Sequence, residues 1–199
     1  VKACFDEQFL LDSGTVSLSP RVGIALLPEH GETAEQVLSA GQTAAECHAE
    51  EGIGLYDPKR DRLNYALKRL EGPLRQALQD NRFQLAFQPQ IACRDHSFVG
   101  MESLLRWQDL VLGQVRPDEV VMVAEHLGLM GQLTHWVVNA SLREYAKLIQ
   151  AGIPGTISIN LAPVNLRDHE LPALIQDALA VWQVPAHRVV LEITESALI

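Results

Sequence analysis

The second part of the chain alternates between stretches with strand spacing and stretches with helix spacing. Apolar and polar residues alternate over the predicted strands. The first strand begins at Phe83, and the later ones cover Phe98 to Trp107, Thr156 to Leu161 and Arg188 to Thr194. Apolar residues recur every three or four positions over the predicted helices, at about Pro117 to Leu127, Gly131 to Gln150 and Leu171 to Val181. This order indicates parallel strands joined by helical crossovers, so we expect an α/β fold.

The first part of the chain carries shorter signals. Alternating apolar residues from Thr15 to Leu27 predict a strand pair, or one strand broken by a proline. Thr33 followed three residues later by Gln36 is a capping-box sequence, and it predicts a helix that ends at about Ala49. A short strand is predicted next, at Leu55-Tyr56.

A longer amphipathic helix is predicted between these two parts. Leucines recur at three- and four-residue steps along it, from about Leu63 to Gln79. Gly72-Pro73 in its middle is expected to kink the helix or split it in two. Upstream, Asp57-Pro58 predicts the start of a turn. We therefore divide the chain into a first domain, a linker helix and a second domain, at residues 1–63, 64–80 and 81–199.

Composition, the start of the chain and the cysteine pattern indicate the cellular compartment. Of the 199 residues, 47% are apolar, and no run approaches the ~18 apolar residues that span a bilayer. The chain starts without a signal peptide and without a methionine, so we expect a piece of a longer protein, whose other parts could carry a membrane anchor. The scattered cysteines form no C-x-x-C pair, which argues against a zinc or disulfide framework and fits the cytoplasm.

The net charge of −9 disfavours two classes of partner. A globally acidic surface repels nucleic acid polymers and anionic membranes. A small anionic ligand can still bind where metal ions or well-placed arginines offset the field. We therefore expect this segment to contact neither a nucleic acid polymer nor a membrane.

Polar residues interrupt three of the predicted strands. Glu102 and Arg106 share one face of their strand, because side chains alternate, and they either serve a site or form a structural ion pair. Asn160 either makes a strand-end hydrogen bond or ligates a metal. Glu192 interrupts an apolar run, so it needs a cation if its strand is buried, or it faces solvent on an edge strand.

Taken together, these residues favour a metal site. Glu102, Asn160 and Glu192 occupy three successive strands of one βα series, and in a barrel they would converge at the carboxyl ends of the strands. Two carboxylates and an amide oxygen form an all-oxygen ligand set, which suits Mg²⁺ or Mn²⁺ and not zinc. Glu195 has the opposite parity to Glu192 and can approach it only if the strand ends near Thr194.

From about Leu70 onwards, the chain resembles the EAL domain family. The signature is present as G-M-E-S-L-L-R-W from Gly100, so the name-giving E-A-L is Glu102-Ser103-Leu104. Further matching motifs follow the family order: F-Q-P-Q from Phe87, P-D-E-V-V from Pro117, S-I-N-L-A from Ser158 and L-E-I-T-E-S from Leu191. The resemblance implies the first half of a TIM-like (β/α) barrel.

The resemblance also implies an activity and residue roles. The family hydrolyses cyclic-di-GMP to pGpG in bacterial signalling, with two Mg²⁺ or Mn²⁺ ions. Glu102, Asn160 and Glu192 would ligate metal, so Glu102 is also a catalytic candidate. Gln88 and Arg106 would contact the dinucleotide. Glu195, the second catalytic candidate, would anchor the catalytic loop, and a homodimer through the EAL domain is compatible with this resemblance.

Residues 1–63 resemble the end of a GGDEF domain, which is an α+β cyclase-like fold. Val22-Gly23-Ile24-Ala25 is similar to the S-I-G-I-A strand of that family, and the stretch from Gly52 to Asp57 is similar to its closing G-x-N…Y-D. Gly41 and His48 replace an aspartate and a phosphate-contacting lysine. We therefore expect a degenerate domain without cyclase activity, and a GTP-binding regulatory role stays open.

Two other functions remain open at this stage. The chain could belong to a non-catalytic receptor that binds cyclic-di-GMP and signals to a partner. The residues that would decide between receptor and enzyme, the paired aspartates and the catalytic lysine of the family, would follow Ile199.

Half a barrel leaves sheet edges uncovered, so we expect this stretch to need the rest of its domain. A sugar or phosphate barrel enzyme outside signalling would require the ordered motifs to match by coincidence.

Overall fold

The structure, a computed structural model, describes residues 2–5, 8–11, 14–48 and 52–193. It divides into two compact units, Val1–Lys68 and Arg69–Ile199. Each unit is described by itself below. None of the helices within the described ranges is both long and apolar enough to cross a bilayer.

The first unit contains short strands around one helix. Its elements are a 3-10 turn at Lys2–Phe5, β1 (Phe9–Leu11), β2 (Gly14–Val16), β3 (Val22–Ile24), α1 (Ala34–Thr43), a π-helical turn at Ala44–His48 and β4 (Ile53–Leu55). β1 and β2 pair antiparallel, whereas β3 and β4 pair parallel and are connected through α1. The alternation from Thr15 to Leu27 therefore belongs to two strands of different sheets, β2 and β3.

Local sequence signals explain how α1 starts and why it lies against β3. The Thr33 hydroxyl accepts a hydrogen bond from the Gln36 backbone N–H at 3.3 Å, and the Gln36 side-chain oxygen accepts one from the Thr33 backbone N–H at 3.2 Å. This reciprocal pair confirms the predicted capping box. A Cβ atom at Gly23 would lie 1.7 Å from the carbonyl oxygen of Gly41, so only glycine fits this contact. The predicted helix end at Ala49 lies outside the described residues.

The next helix begins earlier than predicted and is not split. α2 spans Pro58–Gln79 with Pro73 inside it. The Asp57 carboxylate accepts hydrogen bonds from two backbone N–H groups of the first turn, at 2.9 and 3.3 Å. Asp57-Pro58 is therefore a helix cap followed by proline at the first helical position, where the missing N–H does no harm. Leu70 and Leu74 on either side of Pro73 are fully buried, and this packing outweighs the hydrogen bond that proline removes.

The second unit is built on one five-stranded sheet. Its elements are β5 (Phe83–Ile91), β6 (Phe98–Asp109), β7 (Gly113–Val115), α3 (Pro117–His126), α4 (Met130–Gln150), β8 (Thr156–Leu161), a 3-10 turn at Pro163–Arg167, α5 (Leu171–Trp182), a 3-10 turn at Ala186–Arg188 and β9 (Val189–Ile193). The strand order is β5-β6-β8-β9, with β7 also paired to β6. β6, β8 and β9 are parallel, as predicted.

Two strands of this sheet depart from the parallel arrangement that the pattern predicted. β5 and β7 each run antiparallel to β6. The connections at residues 92–97 and 110–112 are too short for a helical crossover, so the chain has to reverse direction there. β7 was not predicted at all, because three residues are too few to show an alternating pattern.

One face of the sheet, called the apolar face, packs against helices. Its buried cluster combines strand residues with residues of α4 and α5, namely Met101, Ile157, Ile159, Val138, Leu142, Tyr145 and Ala178. Within this core, Ser141 of α4 donates a hydrogen bond to the hydroxyl of Ser103 on β6 at 2.9 Å. Because side chains alternate along a strand, the neighbours of these strand residues point to the opposite face.

Candidate functional site

The opposite face of the sheet carries the polar residues that the sequence singled out. In the parallel pair of β6 and β8, Glu102 lies opposite Ser158, so Asn160 lies two residues farther along on the same face. Asn160 in turn lies directly opposite Glu192 of β9. On the other side of β6, Gln88 of β5 lies opposite Glu102. We call this face, with residues from four adjacent strands, the polar face.

Glu102 and Asn160 are in direct contact across two strands. The Nδ2 atom of Asn160 donates a hydrogen bond to Oε1 of Glu102 at 2.6 Å. Glu102 is half-buried and Asn160 is exposed. The bond orients the amide with its nitrogen toward Glu102, while Oδ1 of Asn160 accepts no hydrogen bond from any described residue. Of the two alternatives considered for Asn160, the hydrogen bond near the end of its strand is thus observed. The side-chain oxygen of Asn160 is still available as a metal ligand.

The two carboxylates of the polar face have no cationic partner within the described part of the chain. Arg106 does not pair with Glu102, because it lies four residues farther along β6, about 13 Å away, and its Nη1 atom donates to the carbonyl of Leu105 at 2.8 Å. Glu192 is half-buried and makes neither a hydrogen bond nor an ion pair with a described residue. The structural ion pair considered from the sequence is therefore not formed, and partly buried carboxylates of this kind favour a bound cation.

The two candidate substrate-contacting residues lie on the polar face at different positions along the strand direction. Gln88 is exposed and lies beside Glu102 in the antiparallel pair. Arg106 is half-buried and follows Glu102 by four residues on β6, which places it about 13 Å farther along the strand. Glu195, the remaining candidate, lies outside the described residues, as does the predicted strand end at Thr194.

Close packing at the start of β8 holds the strands that carry the site. A Cβ atom at Gly100 would lie 2.6 Å from Oγ1 of Thr156, so β6 and β8 approach each other where only glycine fits. The hydroxyl of Tyr145 and Nη1 of Arg188 both donate to the carbonyl oxygen of Gly155, at 2.5 and 2.9 Å. These contacts tie α4 and the start of β9 to β8. Sequence reasoning missed them, and glycines in and before a strand were the only available signal.

The loop that follows β6 is ordered by one carboxylate. Asp109 accepts hydrogen bonds from the backbone N–H groups of Leu112 and Val111, at 3.0 and 2.8 Å. These bonds, that from Leu112 first, lower the pKa of Asp109 because they stabilise the ionised form. The side chains of Leu110 and Val111 are 93% and 90% exposed at the tip of this hairpin.

The polar face presents a mixed set of oxygen donors. Within the described ranges, no three histidine, cysteine, aspartate or glutamate side chains gather closely enough to hold a metal ion. Glu102 and Glu192 supply two carboxylates, and Asn160 supplies an amide oxygen between them. Such an oxygen set fits a hard divalent cation, with further ligands from water, substrate or residues outside the described ranges.

A comparison with protein families identifies the second unit. The EAL domain family matches residues 71–199, which is well over half of the chain. The chain belongs to the EAL domain family. The resemblance inferred from the motifs of the second unit is thereby confirmed, and in this EAL domain Glu102 to Arg106 lie on β6. The resemblance of residues 1–63 to a GGDEF domain is not tested by this match and stays a prediction.

Relatives of this EAL domain occur in larger proteins. The chain is 33% identical over 184 residues to the biofilm architecture maintenance protein MbaA of Vibrio cholerae, covering 90% of this chain and 23% of that protein. It is 31% identical over 198 residues to the cyclic di-GMP phosphodiesterase NbdA of Pseudomonas aeruginosa, covering 96% and 25%. The chain thus spans about a quarter of the length of these curated relatives.

A solved structure shares the fold of the EAL domain. The PaMucR phosphodiesterase in complex with c-di-GMP aligns with a TM-score of 0.61 and 28% sequence identity. The alignment covers 64% of this chain and 52% of that one. The fold similarity therefore extends over about half of the solved chain.

Proposed function

We propose that this EAL domain is part of a phosphodiesterase that hydrolyses cyclic-di-GMP to the linear dinucleotide pGpG. The observation that carries the proposal is the convergence of Glu102, Asn160 and Glu192 on one face of three adjacent strands. The named activity of NbdA and the c-di-GMP complex of PaMucR support the choice of substrate. The proposal concerns the intact protein, since the chain spans only part of its relatives.

Glu102, Asn160 and Glu192 fit a divalent metal centre. Their donor atoms are all oxygen, and the two carboxylates lack cationic partners among the described residues. We expect them to hold Mg²⁺ or Mn²⁺, with two ions in the complete site. When bound, such ions supply an activated water and neutralise charge that develops on the phosphate. The chain's own contribution is to hold the three oxygen donors on a rigid sheet.

Gln88 and Arg106 would bind and orient the dinucleotide. A guanidinium forms charge-assisted hydrogen bonds with phosphate oxygens, and Arg106 can turn its unused N–H groups to them because only Nη1 is occupied, by the Leu105 carbonyl. This local positive charge offsets the overall charge of −9, which would otherwise repel the substrate. The exposed amide of Gln88, next to Glu102, can donate or accept hydrogen bonds to the bound dinucleotide.

The remaining parts of the proposal concern residues beyond the polar face. Glu195 would anchor the catalytic loop, and the general base would follow Ile199. Residues 1–63 would be the C-terminal part of a degenerate GGDEF domain, followed by the linker helix. The parallel pairing of β3 and β4 through α1, with Gly23 packed on Gly41, supports a cyclase-like βαβ unit there. We expect this part to lack cyclase activity.

Turnover by the intact protein tests the proposed role of Glu102. Glu102→Ala is expected to abolish manganese-dependent hydrolysis of cyclic-di-GMP, measured as pGpG release by chromatography. The matched control is Glu71→Ala, which changes an exposed glutamate of α2 in a long surface ion pair with Arg75 and should leave turnover unchanged. Unchanged turnover of Glu102→Ala would refute the assignment.

A calorimetric titration distinguishes the enzyme from a receptor. If the intact wild-type protein binds cyclic-di-GMP but releases no pGpG with Mn²⁺ present, the domain is a non-catalytic receptor. Binding followed by turnover supports the phosphodiesterase. The same titration on Arg106→Ala should show weaker binding, because a phosphate contact is lost.

A further inference from the structure

α4 and α5 border an open groove of about 840 Å³ in the second unit, away from the residues of the polar face. Its apolar lining comes from α2, α4 and α5, namely Leu78, Trp136, Ala173, Leu174, Ala178 and Val181. The Trp136 ring packs edge-on against Phe83, with ring centroids 5.4 Å apart, so the indole is held in place. Val181 is 67% exposed. A tryptophan that is held in place in this way is a typical anchor of protein interfaces.

The carboxylates of this groove outnumber its ionisable basic groups, since His135 is the one such group in its described lining. Asp168, Glu170 and Asp177 line it, and its lining contains no lysine or arginine. None of these three carboxylates forms an ion pair with a described residue. Other carboxylates of the same unit are paired with arginine or lysine, namely Glu71, Asp80, Asp118, Glu119 and Glu144. The groove therefore combines an apolar floor with unpaired negative charge.

We propose that this groove docks a basic amphipathic helix of a partner protein. The lining positions run from Gly131 to Asn139 on α4 and from Ala173 to Val181 on α5, about 12 Å along each helix. This length matches about two turns of a third helix, which would present apolar residues at steps of three and four. Lysine or arginine beside that apolar stripe would complement the three carboxylates and accelerate association.

A second copy of this chain fits the groove less well. In a symmetric dimer the same surface meets itself, so the carboxylates of one copy would face those of the other. A neutral or acidic helix would leave Asp168, Glu170 and Asp177 without partners or would repel them. The proposal does not depend on the proposed hydrolysis, because none of the groove residues belongs to the polar face.

A synthetic helix provides the test. A labelled peptide of about 14 residues, with leucines on one face and lysines on the other, is titrated with the intact protein and followed by fluorescence anisotropy. The comparison peptides are a scrambled sequence of the same composition, which has no apolar face, and a leucine–glutamate version. The leucine–lysine helix should bind most tightly, and more weakly at high salt. Equal binding of the scrambled peptide would mean that charge alone attracts it and would overturn the proposal.

Matched variants locate the binding surface. Replacing Asp168, Glu170 and Asp177 by Asn, Gln and Asn should weaken binding at least about tenfold. Replacing Glu29, Glu32 and Glu35 by Gln changes the net charge equally, at exposed positions of the first unit, and should have little effect. Equal weakening by both triple variants would contradict the proposal.

A valine-to-lysine pair tests the apolar floor. Val181→Lys places a positive charge on the floor of the groove and should abolish binding, whereas Val111→Lys, at the 90% exposed hairpin tip, should not. Equal behaviour of the two variants would overturn the proposal. Sedimentation of the intact protein tests whether a second copy occupies the groove instead. A dimer that Val181→Lys dissociates, while Val111→Lys leaves it intact, would show that a second copy fills the groove and would overturn the proposal.

Discussion

On the apolar face of the EAL-domain sheet, the buried hydroxyls of Ser103 and Ser141 are paired with each other, and on the polar face the carboxylates have no cationic partner among the described residues. Ser103 and Ser141 form a hydrogen bond in the core at 2.9 Å, whereas Glu192 has no partner among the described residues. Both faces are made by the same strands, so the backbone environment is shared. This difference is what we expect if the apolar face provides stability and the polar face provides the proposed metal site.

The largest expected effect is a loss of activity when a residue of the polar face is replaced. Glu192→Gln keeps the size of the side chain but removes its charge, so the intact protein should lose manganese-dependent turnover by at least about 100-fold. Its urea unfolding midpoint should not fall, because Glu192 has no stabilising partner among the described residues. A clear loss of stability with activity retained would reverse the proposed difference between the faces.

The matching change on the apolar face is Ile159→Ala. Ile159 is fully buried and lies on β8 next to Asn160, so removing its side chain should lower the free energy of unfolding by about 2–5 kcal/mol. Urea unfolding followed by circular dichroism measures this loss. At a temperature where the variant is still folded, turnover per folded molecule should remain near that of wild type.

The core hydrogen bond gives an intermediate effect. Ser141→Ala leaves the Ser103 hydroxyl buried without its partner and should destabilise the protein by about 1–3 kcal/mol. The double variant Ser103→Ala with Ser141→Ala removes both polar groups, and it should be more stable than the single variant. Additive losses in this double-mutant cycle would show that the two hydroxyls are not coupled.

Asn160→Asp sharpens the comparison on the polar face. The substitution replaces the amide that donates to Glu102 at 2.6 Å by a second carboxylate, so metal-free stability should fall by about 1–2 kcal/mol through like-charge repulsion. Mn²⁺ should restore that loss, and it should raise the melting temperature of the variant more than that of wild type. Equal shifts for both proteins would argue against a metal next to residue 160.

The smallest expected effect concerns pH and lies at the hairpin after β6. The pKa of Asp109 is lowered by the backbone N–H groups of Leu112 and Val111, so this carboxylate stabilises the fold above its unfolded pKa. That contribution is lost as pH falls through the lowered folded value. Asp109→Ala should therefore be less stable than wild type near neutral pH, and the two unfolding curves should converge in strong acid. A difference in stability between the two proteins that persists in strong acid would contradict this explanation.

The sequence predicted the elements of the EAL domain better than their directions. Alternation located β8 at its observed bounds, from Thr156 to Leu161, because buried strands of this length have a clear pattern. The antiparallel direction of β5 depends on a short connection and not on side-chain pattern, so it was missed. The start of α2 was missed because Asp57-Pro58 occurs both in turns and at helix caps.

The candidate site was predicted in part for a similar reason. Parity along a strand placed Glu102 and Arg106 on one face, and motif order brought Asn160 and Glu192 beside them. Register between strands is a tertiary property, so the contact between Glu102 and Asn160 could only be observed in the structure. The hydrogen bond from Tyr145 to the carbonyl of Gly155 could not be predicted either, because every residue has a backbone carbonyl and the sequence does not mark the one that accepts.

Manganese uptake by the intact protein tests the central claim most directly. Free Mn²⁺ is followed by electron paramagnetic resonance while the protein is titrated, with wild type compared with Glu192→Gln and with the Glu71→Ala control. We expect wild type and the control to take up the metal alike, and Glu192→Gln to bind at least about tenfold more weakly. Equal uptake by all three proteins would contradict a metal centre formed by Glu102, Asn160 and Glu192.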